Sequence, residues 1–343
     1  MTLEPGPTSG NDKLRRNVIY YSKSSSLYVL SCFILALIFA YVLAFLPVDA
    51  FVDRDNYLRY ASSSAEIFER GLNEGWLYLF INEPVWLLVN IAFSFLFSDE
   101  NVVRSIIFLS AFITSFLTLK LDSRFFFVLL LFLLLPQVLK NYIVHLRQGL
   151  AVAIFMLGWF ARGKKVRRLL IILTPFIHAS FFFVLIIYYY SVLLAWLRFS
   201  SGVRLVAFAI IGTGAAFTTL WLASNLGARQ AGVYETANLQ ISGLGFAYWF
   251  VILLLFVLQG AIYLKNNGFQ VGMLVFYLTI YFFLPISARI FESAVLLVLI
   301  SGLRLTSWRF FLFILSLLLY FVTQWVPRFS QSGFGWGVEN YLS

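Results

Sequence analysis

Eleven long apolar stretches constrain this chain more than any other feature of its sequence. Most of them are long enough to cross a hydrocarbon layer of about 30 Å as a helix. They cover roughly residues 27–46, 76–97, 102–119, 125–139, 143–160, 169–190, 203–222, 245–264, 269–286, 290–305 and 308–326. Inside lipid every backbone polar group must bond within the protein, and long apolar stretches with few Gly or Pro breaks favour helices over a β-barrel. The sequence therefore predicts an all-α fold, a polytopic integral membrane helical bundle of ten to twelve transmembrane helices.

Composition supports this class and excludes others. Of 343 residues, 61% are hydrophobic and 12% are charged, whereas a soluble domain carries about 25% charged residues. The single cysteine, Cys32, lies in an apolar stretch, which excludes disulfides and cysteine metal sites. The net charge of +10 indicates cytoplasmic basic segments and not a nucleic-acid surface. Because the sequence contains no P-loop, an ATP-driven pump is not expected.

The predicted organisation has three parts. Residues 1–26 form a basic cytoplasmic tail, residues 27–326 a single transmembrane domain, and residues 327–343 a C-terminal tail. No cleavable signal peptide precedes the first span. The first outer loop, residues 47–83, is acidic, and its segment 56–72 is expected to form an amphipathic helix along the membrane surface.

Five basic residues between Arg162 and Arg168 set the expected orientation. Positively charged segments stay in the cytoplasm, yet five spans counted from a cytoplasmic N-terminus would place this segment outside. The conflict disappears if the stretch 125–139, which contains Pro136, is re-entrant, or if one crossing is miscounted. A cytoplasmic cluster then places Arg147 at the outer end of its helix.

Arg147 and His178 are the two ionisable residues expected to form a site. They lie on consecutive apolar helices joined by the basic segment, which is predicted to be a tight loop. An ionisable residue in a membrane helix costs about 2.5–3.5 kcal/mol on insertion scales and usually faces a partner or a wet cavity. Gly158 follows Arg147 by eleven residues, so it lies on the same helix face about 16 Å away. A neighbouring helix can approach closely at this glycine.

The same residues carry a family resemblance. Arg147–Ala151, followed by Gly158, resembles the Arg-x10-Gly signature of the EpsG/Wzy-type polysaccharide polymerases. The sequence His178-Ala179-Ser180 is similar to the His-x-Ser that these proteins place in the next helix. The likeness covers roughly residues 45–300.

Two further segments extend the resemblance. In the first outer loop, Asp53–Tyr57 and Glu83-Pro84 resemble the corresponding loop of the family. Near the C-terminal end, Arg289–Phe291 resembles the segment that carries its second functional arginine. The order and spacing of all these motifs are similar to those of the polymerases.

The resemblance implies a fold and a function. The fold would be a GT-C-like bundle in the bacterial inner (plasma) membrane, with an active site facing the periplasm or exterior. The enzyme would be a glycosyltransferase that polymerises oligosaccharide repeat units, with undecaprenyl-pyrophosphate-linked glycan as both donor and acceptor. This donor is already activated, so neither a cofactor nor a metal is expected. Membrane lipid, a chain-length regulator and a flippase are the other implied partners, and nucleic acid is not one.

The resemblance also implies roles for individual residues. Arg147 and Arg289 would hold the charged groups and stabilise the leaving pyrophosphate, and His178, Asp55 or Glu83 would take the proton of the attacking hydroxyl. The remaining candidates are substrate-binding residues: Arg54, Tyr57, Gln148, Ser180 and Glu292.

Plainer interpretations of these residues stay open. Arg147 could be a snorkelling anchor, His178 a structural histidine, and Arg289 the partner of Glu292 in an ion pair. Two other functions also stay open. A glycosyltransferase that uses a lipid-phosphate sugar would use Asp53-x-Asp55 as a metal pair. A lipid-linked sugar transporter or flippase would show inverted repeats, and none is evident.

Overall fold

The structure, a computed structural model, describes residues 25–226 and 243–338, and its regular elements there are helices. The N-terminal tail predicted for residues 1–26 lies almost entirely outside the described residues. The helices are α1 Ser26–Ala44, α2 Arg54–Glu74, α3 Trp76–Ile81, α4 Pro84–Ser94, α5 Asp99–Leu119, α6 Phe126–Leu133, α7 Pro136–Ile143, α8 Leu146–Phe160, α9 Lys164–Leu173, α10 Phe181–Trp196, α11 Ser201–Leu226, α12 Leu244–Leu258, α13 Ala261–Asn266, α14 Gly268–Ile280, α15 Ser287–Glu292, α16 Val295–Gly302 and α17 Ser307–Trp325. The all-α fold is confirmed.

Four helices in the described part of the chain are long and apolar enough to cross a membrane. They are Ser26–Ala44, Asp99–Leu119, Ser201–Thr219 and Ser307–Ser330, and a fifth results if Ser123–Leu133 and Pro136–Ile143 together count as one span. This number falls short of the ten to twelve spans predicted. Breaks divide several apolar stretches into helices of 17 residues or fewer, because local chain geometry interrupts them at Asn82-Glu83, at 174–180 and at Gly260.

The stretch 125–139 is bent by 62° between α6 and α7, as a broken span or a re-entrant loop would be. Pro136 causes the break. A residue that precedes proline is pushed out of the helical region, and Leu135 is extended, with φ −64° and ψ 136°. The sequence left open whether this stretch spans the membrane or re-enters it, and the bend at Pro136 is the physical reason.

The basic residues Lys164, Lys165, Arg167 and Arg168 lie in the first turns of α9, and not in the loop predicted from the sequence. Only Ala161–Gly163 separates α8 from α9, and the two helices pack directly against each other. Gly158 makes this contact, because a Cβ added there would lie 2.9 Å from Ile171 Cγ1 of α9. The close approach expected at Gly158 is present.

The segment predicted to be the first outer loop is largely one helix. The amphipathic helix predicted at 56–72 lies within α2, which packs its buried face against α4 and α5. The C-terminal segment after α17 returns to the start of this loop. There Val52 N donates to Trp336 O at 3.0 Å and Val338 N donates to Ala50 O at 3.0 Å. Residues 326–338 therefore pack on the bundle beside the start of this loop.

Gly149 sets the distance between α7 and α8, and its replacement is a test of this packing. A Cβ at Gly149 would fall on the Asn141 carbonyl oxygen of α7, so Gly149→Ala should destabilise the protein by about 1–3 kcal/mol through overpacking. Gly214→Ala on α11 is the matched control, because nothing lies within 4 Å of a Cβ there and alanine favours a helix by about 1 kcal/mol. The free energy of unfolding in detergent is measured for both variants. A Gly149→Ala variant as stable as the wild type would contradict the close contact between α7 and α8.

Candidate functional site

Glu83 lies at the centre of a cluster that joins three separate segments. Arg147 Nη1 donates to Glu83 Oε2 at 2.5 Å, and His178 Nδ1 lies 3.0 Å from Glu83 Oε1. The backbone N–H of Ala179 donates to the same Oε1 at 2.9 Å. The side chains of Glu83 and His178 are 9% and 13% exposed, and that of Arg147 is 33% exposed. The structure thus brings together three candidates that the sequence separates by up to 95 positions.

The break between α3 and α4 places Glu83 in this position. Glu83 is the residue before α4, and its φ of 56° lies in the left-handed region. A non-glycine residue in this conformation costs about 1–3 kcal/mol and persists only where its surroundings fix it. Pro84 begins α4 with no N–H to satisfy. The strained turn directs the carboxylate toward α8 and the segment that follows α9.

A second break places His178, which the sequence predicts to lie within a helix. The apolar stretch 169–190 is instead interrupted after α9 by a 3₁₀ turn, Thr174–Phe176, and α10 begins only at Phe181. In an unbroken helix the Ala179 N–H would donate to the carbonyl four residues earlier. Here that N–H is released and binds Glu83. The helix interruption therefore supplies a backbone donor as well as the imidazole.

The charge state of Glu83 fixes the tautomer of His178. Burial alone would raise the pKa of the Glu83 carboxyl, but the hydrogen bond from His178 and the charge of Arg147 outweigh burial and hold the pKa below its ordinary value. An ionised carboxylate only accepts hydrogen bonds, so Nδ1 of His178 must be the donor. In the neutral tautomer that this bond selects, Nε2 is the acceptor nitrogen. It is shielded from solvent and has no hydrogen-bond partner in the described structure.

Arg147 is held from two sides and still has a free donor. Its guanidinium lies 5.4 Å from the centre of the Tyr60 ring and binds Glu83 through one arm. Its Nε is shielded and has no partner among the described residues. Because a guanidinium presents its donors in a planar fork and this side chain is partly exposed, the arm that does not bind Glu83 leaves hydrogen-bonding capacity for a second anion.

Arg54 and Tyr57 fasten α2 to the junction of α7 and α8. Arg54 Nε donates to Ile143 O at 2.7 Å, and the Tyr57 hydroxyl accepts from Leu146 N at 3.1 Å. Both bonds satisfy groups that helix ends leave without partners. The two side chains are 0% and 5% exposed, and burial lowers the pKa of Arg54 to about 10. They lie inside the protein next to Arg147, where they position the start of α8.

Gln148 and Ser180 connect the Glu83 cluster to α15. Gln148 Nε2 donates to Arg289 O at 2.8 Å and to Ser293 Oγ at 3.0 Å. The hydroxyls of Ser180 and Ser293 lie 2.9 Å apart. These bonds bring α15, with Arg289 and Glu292, to the end of α8 that carries Arg147.

Arg289 and Glu292 do not form the ion pair that one interpretation of the sequence predicted. In the part of the chain that the structure describes, no salt bridge joins them, and Arg289 is exposed. The Glu292 carboxylate lies in the field of Lys140, Arg289 and Arg328. Arg289 is therefore available to a ligand.

Asp53 and Asp55 stand apart from the cluster. Both are exposed at the start of α2, whereas Arg54 between them is buried. Among residues 25–226 and 243–338, no group of three His, Cys, Asp or Glu side chains could hold a metal ion. Of the three proposed proton acceptors, Glu83 and His178 lie in the cluster and Asp55 does not.

The sequence did not predict three residues that lie at or near this site: Tyr60, Ser293 and Lys140. Tyr60 lies on α2 one turn after Tyr57, so the helical period of an amphipathic segment was the available signal. Ser293 follows Glu292 directly, and its role depends on contacts with α8 and α10. No short pattern in the sequence indicates such contacts.

Comparison with known proteins adds no family assignment. No family model matches the chain, and no similar curated protein or solved structure is found. The functional interpretation accordingly depends on the site geometry and on the motif resemblance.

Proposed function

We propose that this chain is a membrane glycosyltransferase that polymerises undecaprenyl-pyrophosphate-linked oligosaccharide repeat units at the outer face of the bacterial inner membrane. The observation that carries the proposal is the cluster in which Glu83 binds both Arg147 and His178. The cluster combines a cation that has donors to spare with an imidazole that has a free acceptor nitrogen. A glycosyl transfer from a pyrophosphate needs both groups.

The cationic side of the site suits a pyrophosphate leaving group. The charges of Lys140, Arg147 and Arg289 all act on His145, at the junction of α7 and α8, so these three cations lie near one region. Arg147 and Arg289 have guanidinium groups that bind phosphate oxygens bidentately without losing a proton. Negative charge that develops on the leaving pyrophosphate would be stabilised there.

The histidine side suits the acceptor. In this mechanism His178 Nε2 takes the proton of the attacking sugar hydroxyl, and Glu83 holds the ring in the required tautomer and stabilises the imidazolium. Glu83 itself is fully engaged, since both carboxylate oxygens accept hydrogen bonds. It therefore serves as a positioning residue.

The geometry of α8 supports the proposed orientation. This helix of 15 residues is about 22 Å long, with Arg147 in its first turn and the basic residues of α9 just beyond its end. Positively charged segments remain in the cytoplasm. The site at the opposite end of α8 then faces outward, where the proposed polymerisation takes place.

A glycosyltransferase that uses a lipid-phosphate sugar is the second candidate within this class, and its proposed metal pair receives no support. Asp53 and Asp55 are exposed and belong to no group of metal-binding side chains in the described structure. A transporter or flippase for lipid-linked sugars belongs to another class. It would not require a histidine whose tautomer is fixed by a buried carboxylate.

Surface glycan from cells that lack the gene distinguishes these functions. We expect single capped repeat units, because the donor and acceptor would still be made and exported but not joined. A complete absence of units would indicate a flippase, and polymer that is not attached to its final carrier would indicate a ligase. Activity that disappears with a chelator would favour the lipid-phosphate enzyme. Re-expression of the wild-type chain should restore the long polymer.

A further inference from the structure

A second polar centre lies beside α15 and has no part in the chemistry described above. It is formed by α7, α12, α15 and α17, which contribute Gln137, Tyr248, Glu292 and Tyr320, and the charge of Glu292 acts on the Tyr320 hydroxyl. Gln137 Nε2 donates to the Tyr320 hydroxyl at 2.6 Å and to Gln324 Oε1 at 3.1 Å. The rings of Tyr248 and Tyr320 are stacked, with centroids 3.9 Å apart and planes 4° apart.

Three polar atoms at this centre are shielded from solvent and have no partner in the described structure. They are Glu292 Oε2, Gln137 Oε1 and the Tyr248 hydroxyl. A shielded polar group without a hydrogen bond costs about 1–3 kcal/mol, and such groups normally have a protein, water or ligand partner. The Gln137 oxygen and the ionised Glu292 carboxylate can only accept hydrogen bonds, and the Tyr248 hydroxyl can both donate and accept.

This set complements a sugar. Neighbouring hydroxyl groups on a pyranose ring each donate one hydrogen bond and accept others, which would satisfy two acceptors and one hydroxyl together. Trp249, whose ring centroid lies 6.1 Å from that of Tyr320, adds an aromatic wall. The rim carries charge from Lys140, Arg289 and Arg328, which face the Glu292 carboxylate from α7, α15 and the turn after α17.

We propose that Glu292, Gln137 and Tyr248 form a subsite that binds the acceptor sugar through neighbouring hydroxyl groups. The inference rests on the proposed function and adds the location and chemistry of the acceptor site. Gln148 and Ser180 bind Ser293, the residue after Glu292, so this subsite is linked directly to the segments that carry Arg147 and His178. A sugar held here would lie beside α15, the helix that these bonds tie to the segments of Arg147 and His178.

The test uses the purified full-length protein and the lipid-linked repeat units that accumulate in cells lacking the gene. Glu292→Gln keeps the size of the side chain but loses the charged acceptor, and Tyr248→Phe keeps the ring stack but loses the hydroxyl. Each should raise the KM for acceptor about tenfold or more, the effect of losing one or two hydrogen bonds, with kcat changed much less. Glu66→Gln, at an exposed position on α2, is the matched control and should leave KM unchanged.

The outcomes separate the inference from the function on which it rests. Wild-type protein that joins repeat units, with both variants at wild-type KM, would overturn the acceptor subsite and leave the polymerase intact. Variants that lower kcat and leave KM unchanged would also overturn it. Wild-type protein that fails to join repeat units would refute the proposed function itself. Unfolding measurements on Tyr248→Phe, which preserves the packing of the ring, should match the wild type.

Discussion

Arg147→Lys is expected to reduce repeat-unit transfer by about 10²–10³-fold, because one preorganised donor to the developing charge is lost. Lysine keeps the positive charge and can reach Glu83, so the ion pair survives. It lacks the planar fork, however, and with it the additional donors that the guanidinium presents next to Tyr60. The variant should therefore produce very short glycan chains while the amount of folded protein in the membrane stays normal.

The glycan ladder and the protein abundance are measured together in this experiment. Arg168→Lys is the matched control, since Arg168 is exposed on α9 and belongs to the basic cluster. It should leave chain length unchanged. Normal-length polymer from Arg147→Lys would remove Arg147 from the chemistry and leave it as a helix anchor.

Glu83→Gln should lower both stability and activity, because it removes the charge that Arg147 and His178 share. Breaking one partner of a buried ion pair typically costs about 3–5 kcal/mol; partial exposure of Arg147 favours the lower end of this range. The free energy of unfolding in detergent measures the loss. As the pH falls, the stabilisation by Glu83 should be lost through its depressed folded-state pKa, and it should be fully present above the ordinary carboxyl range.

A double-mutant cycle identifies the source of this loss. Arg147→Met alone leaves the Glu83 charge without its main cation, whereas Glu83→Gln combined with Arg147→Met removes both charges. The double variant should lose clearly less stability than the sum of the single variants. Glu100→Gln is the control, because its ion pair with Arg104 is exposed, with Glu100 55% accessible, and such pairs contribute only about 0–1 kcal/mol. Additive losses at Glu83 and Arg147 would contradict a coupled pair.

The sequence alone predicts several features that the structure contains. Apolar stretches separated by polar breaks predict helices. A backbone buried in lipid has no water to bond, and a helix satisfies its N–H and C=O groups within one segment. The period of 3.6 residues locates the amphipathic helix inside α2 and puts Gly158 against α9. These features depend on composition, on local periodicity and on the absence of a side chain at Gly158. All three are local properties of the sequence.

Other features depend on contacts between distant segments. Pro84 and Pro175 are sequence signals for the breaks at Glu83 and at 174–180, but apolar composition is not, because a continuous helix would bury the same side chains. The breaks are stabilised only when Glu83 meets Arg147, His178 and the Ala179 N–H, across 64 to 96 positions in sequence. The same holds for Arg54 and Tyr57, which bind backbone groups 89 positions away.

The division between the two kinds of feature has one physical reason. Helix formation and amphipathic packing are decided by residues three or four positions apart, so the sequence determines that this protein is a bundle of apolar helices and indicates which residues are candidates. A buried ionised carboxylate is tolerated only where charges and donors from several segments converge on it. Only the tertiary structure therefore decided that Glu83 joins Arg147 to His178, while Asp55 remains in solvent.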